Sequence, residues 1–329
     1  MYESFYGFTG KPFQLSPDPA FFFASKGHKR AFAYLQYGLF QNEGFIVITG
    51  EIGAGKTTLS RSLMEQLDRQ KVVAAQLVST QLEADDLLKA VSTAFGLPSQ
   101  TNDKAHLLAQ LEAFMLSVVQ QGKRALLIVD EAQNLSPRAV EELRMLSNFQ
   151  LGEKSLLQSF LIGQPELRKL MQLPQMQQLR QRVLATYHLG PMDRQETQAY
   201  VEHRLKHVGW TGDPSFDVGT FELIHDYSGG IPRRINAVCN RILLAAYLAE
   251  KHAITAADAQ PVVTELRDEL GGEVDAEPAE PAQPGRQVST SLEARIARLE
   301  RTMASALDIL QQLLAREKAS DKAREKSGA

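Results

Sequence analysis

Nine consecutive residues, Gly50-Glu51-Ile52-Gly53-Ala54-Gly55-Lys56-Thr57-Thr58, place three glycines, one lysine and two hydroxyls at a spacing suited to holding phosphate. They follow the apolar run Phe45-Ile46-Val47-Ile48 and open a segment, 59–67, compatible with a helix. Strand, glycine loop and helix in that order form a phosphate cradle. The glycines let backbone N–H groups approach an anion with no Cβ in the way, and the helix N-terminus adds unpaired donors and a positive dipole end. Lys56 would reach the β- and γ-phosphates, and the Thr57 hydroxyl would complete a Mg²⁺ shell that keeps several waters. An ordinary glycine-rich turn also matches the bare pattern. The strand before and the helix after favour a nucleoside triphosphate.

A second set of side chains suits the chemistry of that phosphate. Asp130 ends the apolar run 125–129, at the strand end where ligands bind in open parallel sheets, and there a carboxylate can hold Mg²⁺. Glu131 can orient or polarise an attacking water. An acidic pair ending a strand is often only a turn, and the upstream loop is what gives this pair weight. Gln164, closing the run Phe160-Leu161-Ile162-Gly163, would touch the γ-phosphate or the water, or else cap the helix that starts near Glu166. Arg180 and Arg182 precede the last strand, and Arg233-Arg234 follow Gly229-Gly230-Ile231-Pro232. Arginine suits multidentate contact with developing phosphate charge, although a solvated surface role is the ordinary one for any single residue.

These residues need a scaffold, and the hydrophobic pattern supplies one. Apolar runs at 45–48, 72–78, 125–129, 156–162 and 183–189 alternate with helical patterns at 83–95 and 104–119 and with a helix start at Ser136-Pro137. Near-continuous apolar strands separated by helices predict an α/β fold with a mostly parallel five-stranded sheet covered on both faces. Ahead of it, 1–44 is rich in aromatics and carries a helix over about 28–41; the segment packs on the core edge or, near His28, covers a nucleotide base. Beyond Pro191 the strands stop. Asp193-Arg194-Gln195-Glu196 reads as a capping box, and further helices over 216–225, 232–250 and 256–270 predict a small all-helical domain. The expected organisation is therefore an N-terminal segment 1–44, an αβα domain 45–190 and a helical domain 191–270. A disordered Pro/Glu-rich linker, 271–290, then leads to a short coiled coil, 291–316, and a frayed tail, 317–329. The coiled coil is read from Leu292, Ile296, Leu299, Met303, Ala306, Leu310 and Leu313, a heptad seam fit for self-association or a partner; docking on the chain's own domains is the alternative.

Composition narrows the partners. Over 329 residues, 43% are hydrophobic and 23% charged, which suits globular domains. The net charge of −3 gives no whole-molecule attraction to nucleic acid or anionic lipid, so nucleic acid is disfavoured and a local basic patch would be needed. Cys239 is the one cysteine, so no intrachain disulfide forms; its place in a helical pattern makes it a core residue. No apolar run approaches the roughly 20 residues of a membrane span. The chain is expected in the cytoplasm, reaching a membrane only through partners.

Taken in order, these motifs resemble the AAA+ ATPases, and within them the branch that includes general secretion pathway protein A. The likeness spans about 1–268. It rests on Phe5-Tyr6-Gly7-Phe8 with Lys11-Pro12-Phe13, Ser16-Pro17-Asp18-Pro19, the 50–58 loop and Val129-Asp130-Glu131-Ala132-Gln133-Asn134-Leu135. Gly163-Gln164-Pro165-Glu166-Leu167, Leu179-Arg180-Gln181-Arg182-Val183 and Gly229-Gly230-Ile231-Pro232-Arg233-Arg234-Ile235-Asn236 complete it. ATPases of bacterial exosortase (PEP-CTERM) and exopolysaccharide systems share this framework and are the nearest in pattern. The resemblance implies ATP as nucleotide, Lys56 and Thr57 at Walker A positions, and Asp130 and Glu131 as the Walker B pair. It also implies Gln164 at sensor 1, where many relatives have Asn, Ser or Thr, and Arg233 at sensor 2 of a helical lid. Arg182 falls where relatives place a finger reaching a neighbouring subunit, with Arg180 as the second choice. The implied function is an oligomeric ATPase that drives or regulates an envelope-associated assembly, with polysaccharide or secretion components as partners. A DNA-binding regulator of the transposition-target-selecting type competes with it, as does a nucleotide switch acting through the heptads.

Overall fold

In the computed structural model, five parallel strands present the phosphate loop at their C-terminal ends. The structure describes residues 1–270 apart from 17, 42, 79–81, 99–102 and 153. The calls on 271–290, 291–316 and 317–329 lie outside the described residues.

The sheet comprises β1 (Phe45–Gly50), β2 (Val72–Val78), β3 (Arg124–Asp130), β4 (Leu157–Gly163) and β5 (Val183–Leu189). Its spatial order is β2-β3-β4-β1-β5, every pairing is parallel, and the strands match the five expected runs. β1 and β4 are buried along their whole length and β3 beyond its first residue, whereas β2 and β5 at the sheet edges are partly exposed. Alternate side chains of β1 enter different cores. Phe45 and Val47 join Leu127, Val129 and Leu161 on one face; Ile46 and Ile48 join Leu126, Ile128, Phe160 and Ile162 on the other. Each such side chain contributes about 1.5–3 kcal/mol on burial. That two-sided burial explains why these strands read as unbroken apolar runs.

Helix α1 (Tyr2–Phe5) packs in the helical layer, whereas α2 (Lys26–Gln41), α3 (Lys56–Gln66), α4 (Ala84–Ala94), α5 (Lys104–Gln120), α6 (Pro137–Leu146), α7 (Glu166–Gln172) and α8 (Gln177–Arg180) surround the sheet. α2 and α3 cover one face, through Ala31, Leu35, Leu59 and Leu63. α4 to α8 cover the other, through residues such as Leu88, Leu111, Val140, Leu167 and Leu179. Ser136 caps α6 by accepting the Ala139 N–H at 3.2 Å, with Pro137 at the first turn, as its sequence indicates.

The second layer of helices is α9 (Arg194–His207), α10 (Val218–Ser228), α11 (Pro232–Leu248) and α12 (Ala256–Leu270). The capping box is present: Asp193 Oδ1 accepts the Glu196 N–H at 2.8 Å and Glu196 Oε2 accepts the Asp193 N–H at 3.2 Å. Cys239 is fully buried here, and burial pushes its thiol pKa up. Two features differ from expectation. Ser215–Phe216 and Ala253–Ile254 form a two-residue parallel pair, because the loops they lie in run side by side and share backbone hydrogen bonds. The opening aromatics do not sit on the sheet: Tyr2, Tyr6, Phe8 and Phe13 enter the helical core beside Tyr200, Ile235 and Cys239. Tyr2 donates to Asn240 Oδ1 at 2.7 Å and Tyr6 to the Lys251 carbonyl at 2.9 Å, so both hydroxyls find partners only in that layer. The chain then crosses to the sheet as α2. Residues 1–41 thus strap the two layers together.

Candidate functional site

The strand register brings the predicted side chains to one edge. Thr49 pairs with Gly163 and Val129 with Leu161, so the loop after β1, the acids after β3 and Gln164 after β4 emerge side by side. Gly53 and Gly55 take φ of +82° and +94°, which side-chain-bearing residues rarely adopt. A Cβ on Gly53 would lie 2.4 Å from Arg233 Cβ, and one on Gly55 would lie 2.8 Å from His28 Nε2. The loop is therefore gripped from two sides at its glycines.

Lys56 begins α3 and is buried. Its Nζ donates to the Gly50 carbonyl at 2.7 Å and to the Glu51 carbonyl at 2.9 Å. Burial holds its pKa below the usual lysine range, opposed by the charges of Glu131, Asp130, Glu51 and Glu166. No ion pair among the described residues involves Lys56. Its charge thus rests on carbonyl dipoles, which favours an anion at the loop. Asp130 is buried too, and desolvation raises its carboxyl pKa against the hydrogen bonds it accepts from the Thr57 hydroxyl and the Glu131 N–H. Adjacent hydroxyl and carboxylate are oxygen donors of the kind Mg²⁺ takes. Among the described residues no group of three or more His, Cys, Asp or Glu could hold a metal by itself. A metal here would share its shell with substrate oxygens and water, and one carboxylate with one hydroxyl fits that arrangement.

Glu131 has a left-handed backbone, φ 53°. Its Oε2 accepts from Gln133 Nε2 at 2.6 Å and from Gln164 Nε2 at 3.1 Å. Gln133, which the sequence reading left without a role, also accepts the Gln164 N–H through Oε1 at 2.9 Å. Its one sequence signal is a position two residues beyond Glu131, inside a turn.

A pocket between the sheet and the helical layer is lined by Lys56, Thr57, Glu131, Gln164 and Arg233, with Gln14, Asp18, Phe21 and Phe23 of the strap along its wall. Arg233 donates its N–H to the Gly53 carbonyl at 3.2 Å, so the helical layer touches the loop directly. Arg182 and Arg180 do not line this pocket. Arg182 Nη1 donates to the Ser147 carbonyl at 3.1 Å and to Ser147 Oγ at 2.9 Å; Arg180 Nη1 donates to the carbonyls of Met171 at 2.6 Å and Leu173 at 2.9 Å.

His28 grips the loop from α2. Its Nε2 lies 3.1 Å from the Ala54 carbonyl, which only accepts, so Nε2 carries the proton. Nδ1 then accepts from the Ser25 hydroxyl at 2.7 Å. Burial lowers the His28 pKa, keeping it neutral. A histidine on the stripe shared with Ala31 and Leu35 was its signal in the sequence. Arg204 is a further residue the pattern did not reveal: buried, it lines the pocket wall, donating from Nε to the Pro12 carbonyl at 2.5 Å and from Nη1 to Tyr200 Oη at 3.0 Å.

Comparison with known proteins agrees with this geometry. Residues 39–171 match the family model described as an AAA domain. General secretion pathway protein A of Aeromonas hydrophila is 41% identical over 273 residues, covering 82% of this chain and 50% of that protein. The chain thus spans about half the length of this relative. Among solved structures, the Aeropyrum pernix ORC1 protein in complex with DNA superposes with a TM-score of 0.58 at 15% identity, covering 82% of this chain and 72% of that one. The Aeropyrum pernix ORC2 protein gives 0.54 at 18%, covering 73% and 67%. These two likenesses concern the fold alone. No helix of the described residues is long and apolar enough to cross a membrane. Loop, acidic pair, sheet order and sequence likeness converge: residues 39–171 are an AAA domain of P-loop NTPase fold, and most of the chain resembles general secretion pathway protein A.

Proposed function

We propose that this chain binds Mg–ATP between its αβα and helical layers, hydrolyses it, and uses the cycle to drive or regulate an envelope-associated assembly of the secretion or exopolysaccharide kind. The observation that carries the reading is the meeting of Lys56, Thr57–Asp130, Glu131–Gln164 and Arg233 around one phosphate loop. Loop amides of residues 50–58 and the N-terminus of α3 would hold the phosphates. Lys56 would turn from two carbonyls to the β- and γ-oxygens. Thr57 and Asp130 would hold Mg²⁺, which when bound neutralises charge on the phosphates. Glu131 and Gln164 would orient the water, and Arg233 would report the phosphate state to the helical layer. Arg182 would complete the site of a neighbouring subunit.

The kinship with general secretion pathway protein A supports an export role, and the pairing of ATPase core with strap supports a motor or switch acting on partners. The test is calorimetry with Mg–ATP together with phosphate release by the full chain, each repeated for Glu131→Gln. The expected result is tight binding by both proteins, with turnover lost in the variant by roughly 10²–10⁴-fold. No heat of binding would overturn the reading, and equal turnover would remove Glu131 from its role. A pull-down with the ATP-locked Glu131→Gln protein is expected to recover secretion or polysaccharide-assembly components; recovery of DNA instead would support the transposition-target type of regulator.

A further inference from the structure

We propose that Gln133 is a positioning residue for hydrolysis, fixing the Glu131 carboxylate to the end of β4. This inference rests on the hydrolysis reading above.

Three observations lead to it. Glu131 sits in a left-handed turn, so its side chain leaves the strand in a direction that the sheet does not dictate. Something else must set where the carboxylate points. Gln133 supplies the shorter of the two hydrogen bonds to Oε2, 2.6 Å against 3.1 Å from Gln164. Two donors on one oxygen fix the plane and direction of the group, and Oε1 then has one place to be.

Gln133 is itself held. Its Oε1 accepts the Gln164 N–H at 2.9 Å, where β4 runs out. The fit is close: a Cβ on Gly163 would lie 2.7 Å from that same Oε1. The amide therefore uses one end on the backbone of the sensor strand and the other on the acid. A single planar group joins them, so a shift of residue 164 moves the anchor of residue 131. Gln164 itself reaches Glu131 only through a flexible side chain. Orientation errors of about 1 Å at a reacting group cost on the order of 10²-fold in rate, the scale on which such an anchor acts.

The two amide ends can be separated by substitution. Gln133→Glu has the same shape and keeps an oxygen for the Gln164 N–H, but it replaces the donor to Glu131 with a second carboxylate. Gln133→Ala removes both contacts. ATP turnover and Mg–ATP affinity are measured on the 329-residue chain, with thermal unfolding as the check on folding. We expect kcat to fall about 10- to 100-fold in both variants, with both still folded at the assay temperature and Kd changed by less than kcat. Wild-type kcat in Gln133→Glu beside an impaired Gln133→Ala would overturn the proposal, since the residue would then only brace the strand. A loss of nucleotide affinity that accounts for the whole loss of rate would overturn it equally. A wild-type chain that binds Mg–ATP but never releases phosphate would instead defeat the hydrolysis reading, and this inference with it.

Discussion

Lys56 shows how a single charge can be kept ready for a ligand. A buried ammonium held by two carbonyl dipoles is costly, and phosphate oxygens are better partners than the carbonyls of Gly50 and Glu51. Lys56→Met keeps the shape and discards the charge. Its stability should stay close to that of the wild type, while Mg–ATP affinity falls about 10- to 100-fold, the equivalent of one or two charge-assisted hydrogen bonds. Calorimetry decides, and unaltered affinity would place the phosphates elsewhere. His28 gives a second residue-level prediction, through pH. Burial puts its folded pKa below the unfolded value of about 6.5, so between those two values the unfolded chain binds more protons. Its contribution is complete above pH ~6.5 and is lost as pH falls toward the folded pKa. His203, lowered by burial and by its neighbours His207, Arg204 and Lys206, acts in the same direction, whereas the raised Asp130 acts in the opposite one. The comparison must therefore be between variants. Urea midpoints at pH 7 and pH 5.5 should drop further for wild type than for His28→Gln, whose amide can serve both Ala54 and Ser25. Equal drops would assign the acid sensitivity to another group.

Between elements, the strap is the unexpected component. It carries aromatics into the helical layer, turns past the pocket, and returns to the sheet as α2, where the Lys26 N–H donates to Glu196 Oε1 at 2.6 Å. Arg204 secures its middle, donating to the carbonyls of Pro12 and Gln14 while its guanidinium carbon lies over the Phe21 ring, 4.6 Å from the centroid. Arg204→Met would take the side-chain donor from the Pro12 carbonyl and leave the Gln14 carbonyl with Asn236 Nδ2 alone, at a cost of about 1–3 kcal/mol. Chemical denaturation should show that loss, and proteolysis should begin within 12–23. A change under about 1 kcal/mol would mean that the aromatics alone hold the strap. The sequence carried some of these elements plainly and others not at all. β1, β3 and β4 were legible because burial on both faces leaves only apolar residues, and Ser136-Pro137 and Asp193–Glu196 because a cap is written in adjacent positions. The destination of Tyr2, Tyr6 and Phe8 was not, because an aromatic residue declares that it will be buried without saying against what. Gln133 was hidden for a similar reason: a glutamine in a turn looks solvated until the strand that receives its carbonyl is in place. The two-residue pairing of Ser215–Phe216 with Ala253–Ile254 is too short to leave a period.

For the whole molecule, the question is whether one subunit contains a complete site. Lys56, Thr57, Asp130, Glu131, Gln164 and Arg233 gather within one chain, yet Arg182 is tied to Ser147, the residue that caps the C-terminus of α6, and lines no part of its own nucleotide pocket. A cation at a helix C-terminus is well placed, so its local role is worth up to about 1 kcal/mol in stability. An arginine supplied between subunits is worth far more in rate, about 10³–10⁵-fold. The two roles separate by complementation. Arg182→Ala keeps the glutamate and lacks the arginine; Glu131→Gln keeps the arginine and lacks the glutamate. If Arg182 works in trans, each protein alone should be nearly inactive, and mixing them should restore a fraction of wild-type turnover, because some interfaces then pair an intact Glu131 with a neighbour's Arg182. The restored rate should rise with total protein concentration and fall on dilution, while nucleotide affinity stays level throughout. A mixture no faster than the sum of its parts, at concentrations where both variants assemble, would assign Arg182 to the α6 cap alone and leave Arg180 as the arginine to test by the same mixing.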